Sequence, residues 1–228
     1  MRRLLLVPII HDEADMGSLG AALASRSAEL SGASRWALHQ RTVGRFWASI
    51  EAFLLSLDPK QMKLYQDGLA AGGEMGKRVV QEAARRGSRN YQTVLKLLSQ
   101  GAEIRKTEDA QLLLDERRSM LNSLRQESSQ EGQPKTPSRT APADQLLEQR
   151  DQFIARTIGE TLRAGEMGVL FIGAHHNVQP HLPVDITMVA IKGRRQVSDY
   201  LSELFQGRDD GRLQELAEYL ASPVDVRA

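Results

Sequence analysis

The 228-residue sequence contains no cysteine. This absence excludes disulfide frameworks, thiolate zinc sites, iron–sulfur clusters and cysteine nucleophiles, so any bound metal must use histidine, aspartate or glutamate. The sequence also has little net charge, because 30 Lys and Arg residues face 29 Asp and Glu residues and leave a formal charge of +1. No overall field would attract the chain to nucleic acid, and we do not expect nucleic acid as a partner.

Long apolar runs are missing as well. After two arginines, only the run at 4–10 precedes His11, which is too short for an export signal. No later stretch approaches the roughly 20 apolar residues that cross a bilayer. We therefore expect a cytoplasmic protein that does not contact the membrane. The 41% hydrophobic and 26% charged residues are typical of a globular protein, and the length favours a single domain over 1–228.

Strand-like and helix-like patterns alternate along the chain. The run LLLVPII at 4–10 has no polar alternation, which is typical of a strand covered on both faces in a parallel sheet. Further strands are predicted within 61–68, 102–109, 168–173 and 184–193. Helices are predicted at 18–30, 35–57, 74–86, 89–100, 110–125, 144–165, 197–205 and 211–221. This order predicts an α/β fold, with a mainly parallel central sheet of about five strands flanked by helices.

One segment does not fit either pattern. Residues 127–144 contain three prolines and almost no apolar side chain. Burial cannot offset the entropy lost on ordering such a segment, so we expect a mobile Pro/Ser-rich loop within the single domain.

The predicted strands end in ionisable residues. Ligands of open α/β sheets bind outside the carboxyl ends of the strands, where helix N-termini also converge. If the strands are parallel, these residues share one edge, where imidazoles and carboxylates would suit a divalent ion such as Mn, Co or Zn. The residues are His11-Asp12-Glu13-Ala14-Asp15, then Asp67, then Thr107-Glu108-Asp109, and finally Gly173-Ala174-His175-His176-Asn177.

Carboxylates at these positions have a simpler explanation as helix caps, which we favour for Asp12, Asp15 and Asp109. Histidine is rarer, and His11 and His176 are therefore the better candidates for metal binding or acid/base work. Neighbouring residues of an extended backbone point to opposite sides, so only one residue of the His175-His176 pair is expected to reach the site.

Other possible sites carry less weight. His39, in a predicted helix, and His181, in a loop beside proline, are interpreted as structural. The stretch GLAAGGEMGKR lacks the Gly-Lys-Ser/Thr of a phosphate-binding loop. Nucleotide binding by nearby basic residues is a third hypothesis, but helical spacing lets only part of the set face one edge. These residues are Lys77, Arg78, Arg85 and Arg86.

Three features together suggest a family. Gly173-Ala174-His175-His176 fits a Gly-x-x-His motif after an apolar strand, His11 ends the first strand, and Arg150 lies on the helix before the late strand. This arrangement resembles the TraB, Tiki and erythromycin-esterase-like superfamily, which includes a ChaN-like haem-binding branch. The sequence departs from the pattern at its first motif, which reads Pro8-Ile9-Ile10-His11.

The resemblance implies a hydrolase, because Tiki members look like metal-dependent proteases and the esterase branch uses histidine to activate water. It also implies that His11 and His176 lie at the site, beside a carboxylate such as Glu13, Glu74 or Glu108. Arg150 would stabilise charge.

Two functions are compatible with these residues. The first is hydrolysis of an amide or ester in a small-molecule or peptide substrate, with or without a divalent metal. The second is a non-catalytic binding or sensing module for haem or an anionic metabolite. Exposed apolar positions on the long helices are compatible with a homodimer.

Overall fold

A computed structural model describes residues 1–11, 32–128 and 141–225. Its five strands form one sheet in the order β3-β2-β4-β1-β5, and every neighbouring pair is parallel. The predicted α/β class and the parallel sheet are confirmed. The strands are β1 (Arg2–Ile9), β2 (Met62–Gln66), β3 (Glu103–Ile104), β4 (Met167–Gly173) and β5 (Ile186–Ala190).

Seven α-helices within the described ranges flank this sheet. The helix predicted at 18–30 lies outside the described residues, and so does 129–140 of the predicted loop. The two ends of that loop belong to helices. The helices are α1 (Ala33–Leu55), α2 (Gly73–Arg85), α3 (Arg89–Ser99), α4 (Ala110–Ser128), α5 (Ala141–Thr161), α6 (Arg194–Gln206) and α7 (Asp210–Ala221).

Two local signals are refined by the structure. The helix predicted from residue 144 begins at Ala141, so Asp144 lies in the first turn of α5. Pro8 lies one residue before the end of β1. Proline is tolerated there because β5 is paired with β1 only as far as Leu6, so no β5 carbonyl needs the amide that Pro8 lacks.

The core has two parts, one on each face of the sheet. Alternate residues of β1 point to opposite faces, as a strand requires. Leu5 and Val7 belong to the larger part, which includes buried residues of α1, α3, α6 and α7. Leu4 and Leu6 belong to the smaller part, in which Ile154 and other residues of α5 cover the sheet. Both faces of β1 are therefore buried, which explains its unbroken apolar run.

The strand order determines where a crevice opens. β2 and β4 are neighbours, but the chain continues from β2 towards β3 at one edge of the sheet and from β4 towards β5 at the other. Diverging connections of this kind leave space at the carboxyl ends of the two strands, which is where α/β proteins bind ligands.

Within the described ranges, no helix combines the length and the apolar character that a membrane span requires.

Candidate functional site

An ionic cluster occupies this crevice. Asp67 directly follows β2, Glu108 follows β3, and His176 follows β4. Arg150 and Asp151 reach the same place from α5, and all of these side chains except the partly buried Asp67 are buried. The parallel strands thus bring their polar ends to one edge, as the sequence predicted for this set of strand ends.

The His176 imidazole is held in one orientation. Its Nδ1 lies 2.5 Å from Oδ1 of Asp151, and the other oxygen of Asp151 accepts the backbone N–H of Asn177 at 2.7 Å. This clamp directs Nε2 towards Oδ2 of Asp67, at 3.5 Å. His175 is exposed, so only one histidine of the pair reaches the site, as predicted.

Arg150 connects the carboxylates of the cluster. Its Nη2 donates to Asp67 at 2.7 Å and to Glu108 at 2.6 Å, and its Nε donates to Glu108 at 3.3 Å. Nη1 donates to both oxygens of Glu116 on α4, at 2.7 and 2.6 Å. Arg150 is only 4% exposed, so these charge-assisted bonds form in a poorly hydrated environment.

The two carboxyl groups at the strand ends differ in proton affinity. Burial raises the pKa of Glu108 to about 7, although its hydrogen bonds with Arg150 act in the opposite direction. Burial also acts to raise the pKa of Asp67, but His176, Arg150 and the Gly173 amide outweigh it and hold that pKa below its ordinary value. Near neutral pH, Asp67 is therefore ionised, whereas Glu108 is partly protonated.

This difference predicts how stability depends on pH in metal-free protein. The folded pKa of Glu108, about 7, exceeds its ordinary value of 4.5, so between these values the folded protein retains a proton that the unfolded chain has released. The contribution of Glu108 to stability is complete below its ordinary pKa and is lost as pH rises through the folded pKa of about 7. In Glu108→Gln, the free energy of unfolding relative to wild type should therefore rise by about 3 kcal/mol between about pH 4 and about pH 8.

Urea denaturation of both proteins across this pH range measures the difference. Glu103→Gln is the control, because a hydrogen bond from Lys63 lowers the pKa of Glu103. That variant should show no such rise. A flat difference for Glu108→Gln would contradict the raised pKa.

The cluster contains a donor set that suits a divalent cation. Three residues each offer one ligand atom, and these atoms lie within 4.8 Å of one another: Asp67, Glu108 and His176. A tetrahedral ion about 2.1 Å from its ligands separates two ligand atoms by roughly 3.4 Å, which matches the 3.5 Å between His176 and Asp67. Asp151 behind the imidazole is the carboxylate partner that metal-binding histidines usually have.

The predicted site residues have different locations. Glu108, Arg150 and His176 lie together in the cluster. His11 follows β1, the neighbour of β4, and is exposed there; its role stays a prediction. Glu13 lies outside the described residues. The structure does not bring Glu74 into the cluster, because this residue lies in the exposed first turn of α2 and pairs with Lys77 at 2.7 Å.

The structural interpretations of other residues agree with their contacts. Oδ1 of Asp109 accepts the backbone N–H groups of Gln111 and Leu112, so this carboxylate caps α4. His39 is buried against the Tyr200 hydroxyl at 3.1 Å, and burial lowers its pKa to about 4. His181 pairs with Glu148 on the surface.

Sequence reasoning missed two members of the cluster. Asp151 and Glu116 lie within helices, where a charged residue is normally part of a solvated face. The only local signal for Asp151 is that Leu147 and Ile154 lie one helical turn away on either side, which places Asp151 on the apolar face of the helix. Nothing local distinguishes Glu116 from Asp115 beside it.

Comparison of the chain with protein-family models, curated proteins and solved structures finds no match. The resemblance to the TraB and Tiki superfamily therefore stays a prediction based on the motifs of the sequence.

Proposed function

We propose that this protein is a cytoplasmic, Tiki/TraB-like hydrolase in which Asp67, Glu108 and His176 hold a divalent metal ion and cleave an amide or ester bond. The observation that supports this proposal is the convergence of Nε2 of His176 and Oδ2 of Asp67, with Asp151 fixing the imidazole from behind. General-base chemistry alone would not need a second carboxylate on the reacting side of the imidazole.

The charge of the cluster also favours a bound cation. With Glu108 ionised, the cluster has four carboxylates, from Asp67, Glu108, Glu116 and Asp151. Two guanidinium groups compensate them, from Arg150 and from Arg194, whose charge interacts with Asp151. A histidine that binds a metal does so as neutral imidazole, and two negative charges then remain, which is the charge that one divalent ion neutralises.

Each residue then has a defined part in hydrolysis. A bound divalent ion supplies Lewis acidity and a water molecule of lowered pKa. Asp67, Glu108 and His176 would hold the ion, and Arg150 keeps Asp67 and Glu108 in place through its hydrogen bonds. Glu108 would have to release its proton in order to hold the ion, so affinity should increase as pH rises through about 7.

The two adjacent histidines provide a matched test of this function. His176→Ala should abolish stoichiometric binding of Mn, Co or Zn, since it removes a ligand from the cluster, whereas His175→Ala should bind like wild type because His175 is exposed. Metal content after dialysis measures binding. Hydrolysis of p-nitrophenyl acetate and of a fluorogenic peptide amide, with and without chelator, measures activity.

We expect chelation and His176→Ala to remove hydrolysis and His175→Ala to retain it. Activity that persists under chelation and disappears in His176→Ala would instead indicate His176 as a general base oriented by Asp151, without metal. Equal activity in both variants would contradict the proposed site.

A further inference from the structure

Helix α4 lies against α5, and its described side chains are weakly packed. None of its described side chains, at 110–119 and 121, is buried. Two of its leucines, Leu114 and Leu121, are 48% and 46% exposed. Its packing partner is α5, and the described side chains of α4 bury little apolar area against it.

The contact that ties α4 to the site is the pair between Glu116 and Arg150. Arg150 divides its donors: Nε and Nη2 serve Glu108 and Asp67, and Nη1 serves only Glu116 among the described residues. The side chain of Glu116 is 39% exposed, against 17% for Asp67 and 0% for Glu108. Glu116 is thus the outermost of the three carboxylates, and it occupies the side of Arg150 that faces solvent.

An external carboxylate would fit the same position. Guanidinium nitrogens bind carboxylates in this geometry regardless of whether the carboxylate belongs to the protein or to a ligand. A carboxylate on Nη1 would lie next to Nη2, which holds Asp67 and Glu108. The remainder of such a ligand would then be beside the residues that hold the metal.

We propose that α4 is a lid which Glu116 keeps closed by occupying Nη1 of Arg150, and that the carboxylate of an anionic substrate displaces Glu116 when the lid opens. The substrate class is then an amide or ester that carries a free carboxylate. The assignment of a substrate rests on the proposed hydrolase function, whereas the lid and the carboxylate position do not.

Glutarate serves as the probe, in protein freed of metal by chelation and dialysis so that the probe cannot bind through an ion. Calorimetric titration measures its affinity, and hydrogen exchange of the α4 amides measures opening. In wild type, saturating glutarate should speed α4 exchange. In Glu116→Ala, exchange should be fast without glutarate, and glutarate should bind about tenfold more tightly, because a tethered competitor is removed.

Asp115→Ala is the matched control. Asp115 is the neighbour of Glu116 on the same helix, and it contacts Arg118 and Gln111 on the surface. Both variants gain helix propensity, so a difference between them in glutarate affinity comes from the Arg150 pair. Glu116→Gln retains the shape of the side chain and should show a smaller change in the same direction as Glu116→Ala.

Glutarate affinity and α4 exchange that are the same in Glu116→Ala and wild type would overturn the lid. So would glutarate binding that leaves α4 exchange unchanged. Because these measurements involve neither metal nor turnover, a protein that opens with glutarate but hydrolyses nothing would retain the lid and lose the proposed hydrolase function. A protein that hydrolyses its substrates but does not open with glutarate would retain the hydrolase function and contradict the lid.

Discussion

Replacement of Arg150 by methionine should lower the free energy of unfolding by about 3–5 kcal/mol at about pH 8, which is the cost of breaking a buried ionic network by removing one partner. The change leaves Asp67, Glu108 and Glu116 without their shared cation. The loss should be smaller at about pH 5, because Glu108 then holds a proton in the folded state. Urea denaturation at both pH values measures it.

Arg156→Met is the control for this change. Arg156 is an exposed residue of the same helix, and its guanidinium lies over the Phe153 ring at 5.1 Å. An exposed contact of this kind contributes about 0.5–1 kcal/mol, independently of pH over this range. Similar losses for the two variants would show that Arg150 is a minor surface contact and not the centre of the cluster. Added Mn, Co or Zn should restore part of the stability of Arg150→Met, since the ion replaces the missing positive charge.

Asp151→Asn should weaken binding of the divalent ion by about 10- to 100-fold, the usual effect of losing the partner behind a metal-binding histidine. Asp151 accepts from both His176 and the Asn177 amide, and an asparagine has only one oxygen to offer them. One of the two donors then faces an amide NH₂ group. The imidazole is then held less firmly, although Asp67, Glu108 and His176 all remain available as ligands.

Glu148→Gln is the matched control for Asp151→Asn. It is a second carboxylate of α5 paired with a histidine, His181, at 2.9 Å, but that pair lies on the surface. Titration of metal-free protein with Mn, Co or Zn should give the affinity of wild type for Glu148→Gln. If Asp151→Asn also kept that affinity, Asp151 would have only a structural role.

The positions of the strand ends were largely predictable, because strands buried on both faces appear as short apolar runs. The run at 4–10 and the run that forms β4 could be assigned without knowledge of any partner strand, and β2 could be placed by the Asp67-Gly68 turn that follows it. Their polar ends, Asp67 and His176, followed from the same pattern. The first turn of α2 was predicted as well, but whether Glu74 would face the crevice or the solvent was not.

The helical members of the cluster could not be predicted in this way. Asp151 and Arg150 are consecutive in sequence, and both are buried because α5 crosses the sheet close to the ends of β2 and β4. A helical pattern shows which positions share a face, but it does not show which charged residue another element will meet. Choosing between Glu116 and Asp115 requires the position of Arg150.

The amino-acid sequence by itself determined the class of the fold, the location of the ends of β2 and β4 and the absence of thiolate chemistry, since each of these depends on local patterns or on composition. Only the tertiary structure decided that β4 lies between β2 and β1, which places His176 beside Asp67 and within reach of Asp151. Strand order depends on how the whole chain packs its helices against both faces of the sheet. No short segment encodes that information, and the composition of the site depends on it.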